Sequence, residues 1–200
     1  MQEKKQDKRS KRTRAALEST LLRLLKDYEI DDISIKKLCE EADVNRTTFY
    51  LHYTSVYDVL NNIREEFIMR VLANFTVHKF PHGAEAYTDF LKAVKTAVDN
   101  TPMLDSFIIT SKEAGVFTQD LKNSFYEKLF SVLVKEARED RKQQCAYVTV
   151  FLCSGVIDAY ILWLKNGKNT PFEILSDSFS ALIRTGHSRF MPIDFNERKA

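Results

Sequence analysis

One stretch of twenty residues constrains the fold most, because its side chains are apolar on every side of a helix. It covers residues 145–164, CAYVTVFLCSGVIDAYILWL, and sixteen of these twenty residues are apolar. A helix that is apolar all round must be buried. Its length could just cross a bilayer, but Asp158 lies within it and a charge is costly at membrane depth. We expect no membrane span; a second subunit can cover the faces that neighbouring helices leave bare.

The rest of the composition favours an all-α protein. The 200 residues include only five Gly and four Pro, whereas turn-rich β architectures need many more of both, and 44% hydrophobic residues suffice for a core. Cys39, Cys145 and Cys153 form no CxxC pair and no disulfide framework, which favours reduced thiols. No apolar signal-peptide segment opens the sequence. We therefore expect a cytoplasmic protein.

Charge is concentrated at the N-terminus. Residues 1–14 hold seven Lys or Arg against Glu3 and Asp7, which gives +5 there and leaves −3 for the remaining residues. Such a basic arm is typical of a segment that binds a polyanion. A solubilising, disordered terminus is the alternative interpretation.

Three short helices are predicted within the first 53 residues. Leucines at helical spacing indicate a helix over about 11–27, and Ser34 can cap a second helix, IKKLCEE. Asp43 lies where a tight turn needs a left-handed residue, and Asn45 can cap a third helix, RTTFYLHY. Two short helices joined by such a turn form a helix-turn-helix. We predict a DNA-binding domain over residues 1–53.

Longer helices are predicted over residues 54–200, which we expect to form a ligand-binding and dimerisation domain. Ser55 starts one with a stripe that continues to Phe75, and Pro81 and Gly83 end it. Others are expected over 84–99, after Pro102, around 117–133, and over 145–164. The last is expected over 171–186, with a capping box before it and a stop at Gly186.

The third helix, within VNRTTFYLHY at residues 44–53, has the chemistry needed to read DNA. The second helix of a helix-turn-helix enters the major groove, where its first residues touch base edges. Arg46 can donate to guanine O6 and N7, and Thr47 and Thr48 can reach bases or phosphates. Tyr50 and His52 can reach the flanking backbone. We expect Phe49 to turn inward and hold the helix against its neighbours.

Residues 33–60, ISIKKLCEEADVNRTTFYLHYTSVYDVL, resemble the DNA-binding signature of TetR-family transcriptional regulators. The resemblance implies that Ser34 and Lys36 contact phosphate or a base, beside the recognition-helix positions Arg46, Thr47, Thr48, Tyr50 and His52. Two positions depart from the family pattern: Thr54 and Val56 stand where relatives commonly carry lysines that grip phosphate. FLCSGVIDAYILWLKNGKNTPFEI, residues 151–174, is also similar to a subgroup that includes regulators of dihydroxyacetone kinase.

The resemblance implies a repressor that a small-molecule effector releases from a palindromic operator in double-stranded DNA. We expect a homodimer through the helices near 145–164 and 171–186. Candidate ligand-binding residues are Phe90, Phe107, Phe117, Tyr126, Tyr147 and Asp158. For Asp158, a bond to a Ser, Tyr or Arg across the dimer is the alternative.

Three other hypotheses have sequence features of their own. A coactivator or regulator controlled by a partner protein stays open, because the phosphate-gripping lysines are missing. An enzyme is not expected, since no nucleophile with a nearby base and no phosphate loop is present. His78 and His82 could bind a metal, but Pro81 disrupts a helical pair, so we expect no metal site and no cofactor.

Overall fold

The computed structural model describes residues 2–73, 85–136 and 139–190, and within them the chain forms α-helices and no strand. The all-α prediction is confirmed. Short 3₁₀ turns cover Ile30–Asp32 and Glu139–Arg141. The helices are α1 (Gln2–Leu24), α2 (Ile35–Glu41), α3 (Arg46–Tyr50), α4 (Val56–Ala73), α5 (Glu85–Asp99), α6 (Leu104–Thr110), α7 (Ala114–Glu136), α8 (Lys142–Lys165) and α9 (Phe172–Phe190).

The chain divides into two compact units. The N-terminal unit consists of Met1–Phe67 and Val98–Phe117, and the C-terminal unit consists of Ile68–Ala97 and Thr118–Ala200. The N-terminal unit therefore contains α1 to α3, most of α4, and α6. It is assembled from two separate segments of sequence, because α6 packs against α1.

The core of the N-terminal unit is aliphatic around α1 and aromatic near α6. Leu17, Leu21 and Leu25 are almost fully buried along one side of α1 and just beyond its end, as their spacing predicts. The Phe117 ring packs at 5.7 Å from Phe67 and 5.6 Å from Phe107, measured between ring centroids. One boundary differs from the prediction: α1 begins at Gln2 rather than near residue 11, so the basic arm is a helical extension of α1.

The helix-turn-helix follows the predicted capping pattern. The Ser34 side chain accepts a hydrogen bond from the Lys37 amide at 3.1 Å and begins α2. The Asn45 side chain accepts from the Thr47 amide at 2.8 Å and begins α3. Asp43 has a positive φ of 52° in the turn between the two helices, as predicted. A short polar side chain tolerates this left-handed conformation better than a branched one does.

Helix α3, the expected recognition helix, is shorter than predicted. It ends at Tyr50, because the amides of His52 and Tyr53 both donate to the Phe49 carbonyl at 2.9 Å and close a turn. The next helix restarts at once. The Ser55 hydroxyl accepts from the Asp58 amide at 3.0 Å, while an Asp58 carboxylate oxygen accepts from the Thr54 amide at 2.8 Å. These reciprocal bonds satisfy donors at the start of α4.

In the C-terminal unit, α8 and α9 form an antiparallel pair around an aromatic cluster. Tyr160, Trp163 and Phe172 are buried with ring centroids 5.6–6.5 Å apart. The Trp163 indole donates to the Thr170 carbonyl at 2.8 Å, which holds the turn between the helices. The predicted stop at Gly186 is wrong, because α9 continues through this residue to Phe190.

Helix α8 is buried on one side only. Its buried side includes Cys153, Val156 and Tyr160, and burial of the Cys153 thiol raises its pKa to about 12. Its other side exposes large apolar side chains. The helix is long and apolar enough to cross a membrane, but core helices of soluble proteins can be equally long and apolar. Within the described residues, the outer side of α8 therefore exposes several large apolar side chains, with the ion-paired Asp158 among them.

Candidate nucleic-acid interface

Helix α3 exposes polar side chains to solvent and buries the ring of one residue, Phe49, in the core. Phe49 is 0% exposed, whereas Tyr50 on the next position is 61% exposed. The Phe49 ring contacts the Tyr50 ring edge-on at 5.5 Å and the Tyr53 ring at 5.9 Å. The other predicted contact residues keep exposed surface: Arg46 and Thr47 are exposed, and Thr48 and His52 are partly exposed.

The position before α2 and the side of α2 add two further predicted contacts. Ser34 is exposed, although its hydroxyl is already an acceptor for the Lys37 amide. The Lys36 side chain is 65% exposed and lies 3.8 Å from the Glu40 carboxylate. An ion pair this exposed is weak, so phosphate can compete for the Lys36 ammonium.

Two basic side chains in or next to the helix-turn-helix are engaged locally. Arg23 donates to the Glu41 carboxylate at 2.9 Å, and the Lys37 ammonium lies over the Tyr28 ring. Arg46, by contrast, makes no ion pair within the residues that the structure describes. Among these cations, Arg46 needs the least rearrangement to meet a base or a phosphate.

Exposed cations also line the N-terminal half of α1. Lys8, Arg9, Lys11 and Arg12 are all exposed. Arg14 differs from them: its side chain is only 34% exposed and forms an ion pair with Glu66 of α4. Counting Arg14 as part of the basic arm, as the charge pattern suggests, is therefore wrong for its side chain. The exposed charge of the arm ends at Arg12.

Sequence reasoning missed two features of this surface. Leu51, directly after α3, is 76% exposed beside Tyr50, and no polarity pattern marks it. The contacts of Arg14 with Tyr53 and with α4 were also missed. A signal for them exists, because Arg14 continues the helical stripe of Leu17 and Leu21 by one turn.

The six candidate ligand-binding residues belong to both units and have different local surroundings. Phe107 and Phe117 pack together in the N-terminal unit, whereas Phe90 packs edge-on against Phe125 at 4.4 Å in the C-terminal unit. The Tyr126 ring stacks on Phe130 at 5.3 Å. Tyr147 is 68% exposed and receives a hydrogen bond from Gln143, and Asp158 is exposed.

Asp158 has a partner within its own chain. Its carboxylate accepts from the Lys122 ammonium of α7 at 2.5 Å. The Asp158 side chain is 58% exposed, and the Lys122 side chain is 18% exposed. Within the residues described, Asp158 therefore forms an intrachain ion pair with Lys122, and the expected bond across a dimer stays a prediction.

A strip of exposed apolar side chains runs along α8 and α9. A cleft of about 490 Å³ at the α8–α9 turn opens on this strip and is lined in part by Trp163 and Asn169. None of the six candidate ligand residues lines it. The strip consists of side chains that are about half exposed or more: Tyr147, Val150, Phe151, Leu162, Ile174 and Leu182.

Metal-binding geometry is not seen in the described ranges. No group of three or more His, Cys, Asp or Glu residues lies close enough there to hold an ion. His78 and His82, the pair considered from the sequence, lie outside the described residues.

Comparison with known proteins identifies two transcriptional regulators, and no family model matches the chain. The chain is 22% identical over 180 residues to the uncharacterized HTH-type transcriptional regulator YxbF of Bacillus subtilis (strain 168). The match covers 88% of the chain but 46% of that protein, so the chain spans about half the length of this relative. This is weak homology to a helix-turn-helix regulator.

Among solved structures, the fold is similar to that of the dihydroxyacetone kinase operon activator DhaS. The TM-score is 0.57 with 16% identity, over 90% of this chain and 98% of that one. The kinase in that name belongs to the operon that DhaS activates. Both similar proteins are thus transcriptional regulators rather than enzymes.

The contribution of the exposed α1 cations to DNA binding can be tested without changing Arg14. We expect the triple substitution Lys8→Gln, Arg9→Gln and Arg12→Gln to weaken binding to every DNA duplex, because phosphate contacts are independent of sequence. The slope of log K against log salt should become shallower by about 0.9 for each phosphate that the variant no longer neutralises. Fluorescence anisotropy at several salt concentrations measures both quantities.

A matched triple, Lys92→Gln, Lys128→Gln and Lys165→Gln, removes three exposed lysines of the C-terminal unit and should leave the slope unchanged. A loss of affinity confined to one DNA sequence in the α1 triple would contradict this role.

Proposed function

We propose that this protein is a TetR-type DNA-binding transcriptional regulator of the cytoplasm that acts as a homodimer on a palindromic operator in double-stranded DNA. The resemblance of residues 33–60 to the TetR signature supports the family. Weak homology to an HTH-type regulator and the fold of DhaS support the regulatory class.

The observation that carries this proposal is the division of α3 into an anchored side and an exposed side. The fully buried Phe49 holds the helix, while Arg46, Thr47 and Tyr50 keep exposed surface. The Asn45 cap begins the helix immediately before Arg46. A helix N-terminus with exposed donors suits both phosphates and base edges of a major groove.

Selection of binding sites from random DNA with the purified protein tests the proposal. We expect a palindromic consensus whose half-sites are separated by about one helical turn or a multiple of it. Arg46→Ala should cost roughly 1–3 kcal/mol on the selected duplex and relax the preference at one base pair.

Arg23→Ala is a suitable control, because it removes an arginine of the same unit whose guanidinium already pairs with Glu41. It should leave the base preference intact. Selection that yields no consensus, or an equal loss of preference in both variants, would count against α3 as the recognition helix.

The proposed dimer uses α8 and α9, and the exposed apolar strip supports it. Contiguous exposed apolar surface on a soluble protein often marks an association site. Leu162 of α8 and Ile174 of α9 belong to the same strip and also line the cleft at the turn. A second copy placed on the strip would form a four-helix bundle with two helices from each subunit.

We expect Phe151→Asp to convert the dimer to a monomer, because it places a charge without a partner in the apolar seam. Phe151 is 68% exposed, so the substitution leaves the subunit core intact. The matched control Val116→Asp changes an apolar residue of the N-terminal unit that is 61% exposed, and it should remain dimeric.

Light scattering at micromolar concentration distinguishes these states. A monomeric wild-type protein, or dissociation of both variants, would rule out this seam.

We further propose repression that a small-molecule effector relieves. The effector would bind better to a conformation whose recognition helices have the wrong spacing, since only differential affinity can shift such an equilibrium. The candidate contacts remain Phe90, Phe107, Phe117, Tyr126, Tyr147 and Asp158. Titration of the operator complex with a metabolite library should identify a ligand that releases the DNA.

A second candidate is a coactivator or regulator that responds to a partner protein. Two observations favour keeping it: the similar structure DhaS is an activator by name, and Val56 is buried where relatives commonly carry a phosphate-gripping lysine. If no ligand changes operator affinity while a purified partner protein does, this alternative replaces the effector model.

A further inference from the structure

A polar cluster joins three helices of the N-terminal unit. Two members lie one turn apart on α1, one follows α3, and two lie one turn apart on α4. None is fully exposed: the side chains of Arg14, Glu18 and Glu66 are 34%, 17% and 29% exposed, and Tyr53 is 3% exposed. The members are Arg14, Glu18, Tyr53, Asn62 and Glu66.

Each member bonds to at least two others. The Arg14 guanidinium donates to the Tyr53 hydroxyl oxygen at 3.4 Å, to Asn62 Oδ1 at 3.0 Å, and to the Glu66 carboxylate. The Tyr53 hydroxyl donates to Glu18 Oε1 at 2.7 Å. The Asn62 amide donates to Glu18 at 3.0 Å and to Glu66 at 3.3 Å. The cluster is thus a closed network rather than a chain of independent pairs.

Charge and burial determine which members of the network donate hydrogen bonds. Burial, together with the hydrogen bond to Glu18, raises the pKa of Tyr53, so its hydroxyl remains a donor at any physiological pH. The hydrogen bond with Tyr53 also raises the pKa of Arg14, which keeps the guanidinium charged. Removing one member leaves partly buried charges with fewer partners, so the remaining members must rearrange.

The network acts where the recognition helix is weakest. Helix α3 has five residues, too few to be stable by itself, so its orientation depends on what holds its ends. Phe49 anchors its middle in the core, and the Tyr53 amide donates to the Phe49 carbonyl. The hydroxyl of Tyr53 is the point at which the end of α3 is attached to α1 and, through Arg14, to α4.

We propose that Arg14 and Glu18 are positioning residues that hold α3 in one orientation on α4 through Tyr53, Asn62 and Glu66, and thereby govern discrimination between DNA sequences. This inference rests on the proposed function, because it gives α3 the role of recognition helix. This role requires no contact between the network and DNA. Its effect is on the ratio of affinities for the selected and random duplexes, more than on affinity for DNA in general.

Tyr53→Phe is the sharpest test, because it removes one hydroxyl and keeps the ring that packs against Phe49. We expect the ratio of dissociation constants for random and selected duplexes to fall about tenfold, the effect of losing a hydrogen bond to a charged group. Tyr57→Phe is the matched control. The Tyr57 hydroxyl also bonds to a carboxylate, that of Asp31, at 2.6 Å, but lies outside the cluster.

The proposal requires Tyr57→Phe to keep the wild-type ratio. An unchanged ratio in Tyr53→Phe, or an equal fall in both variants, would overturn it. A purely structural role would lower the melting temperature of Tyr53→Phe and leave its ratio unchanged, so thermal unfolding of both variants is measured alongside.

A double-mutant cycle tests the link from α3 to α4. Tyr53 and Glu66 are joined through Arg14, and no direct hydrogen bond between them is seen in this cluster. If they act through one network, Tyr53→Phe combined with Glu66→Gln loses less discrimination than the product of the two single losses. Losses that simply multiply would show two independent contacts and reject the network.

Amide hydrogen exchange separates this inference from the proposed function, since it needs no DNA. Tyr53→Phe should accelerate exchange of the α3 amides at residues 46–50 relative to those of α2, whereas Tyr57→Phe should not. If the wild type selects no DNA sequence but α3 exchange responds, the proposed function fails and the orienting role stands. If α3 exchange does not respond, the orienting role fails even where the wild type selects DNA.

Discussion

Burial of Phe49 is the interaction on which the candidate DNA surface depends. A helix of five residues gains too little from its own hydrogen bonds to persist, so tertiary contacts must supply its stability. The ring is 0% exposed and fixes which side of α3 faces inward. Every polar side chain of α3 takes its direction from that one inward residue, because helical spacing then sets the others.

Local chemistry explains which parts of the fold could be predicted. Ser34 and Asn45 cap their helices as expected, and Asp43 is left-handed as expected, because each effect depends on a few neighbouring residues. The aliphatic stripe of α1 is equally local and equally predictable. The resemblance to the TetR signature covers this same region, so local capping and family resemblance both predicted the helix-turn-helix.

Other expectations depended on distant contacts and were less secure. The charge count placed Arg14 in the basic arm; its spacing from Leu17 and Leu21 indicates the inner side of α1, but only the fold shows that Glu66 lies beside it. The predicted end of α9 at Gly186 is wrong, because glycine permits a turn at the end of a helix but does not by itself cause one. The aromatic ligand candidates are distributed over both units, since an aromatic residue in a sequence does not show which neighbours it will pack against.

Because the N-terminal unit is built from two segments of sequence, it cannot be transferred to another protein as one continuous piece. A transplant of residues 1–53 onto another regulator would carry Tyr53 and leave Asn62 and Glu66 behind. It would also leave behind α6, which packs against α1. A chimera that keeps the N-terminal unit intact must exchange Met1–Phe67 together with Val98–Phe117, so the transferable unit is encoded by two separate gene segments rather than one.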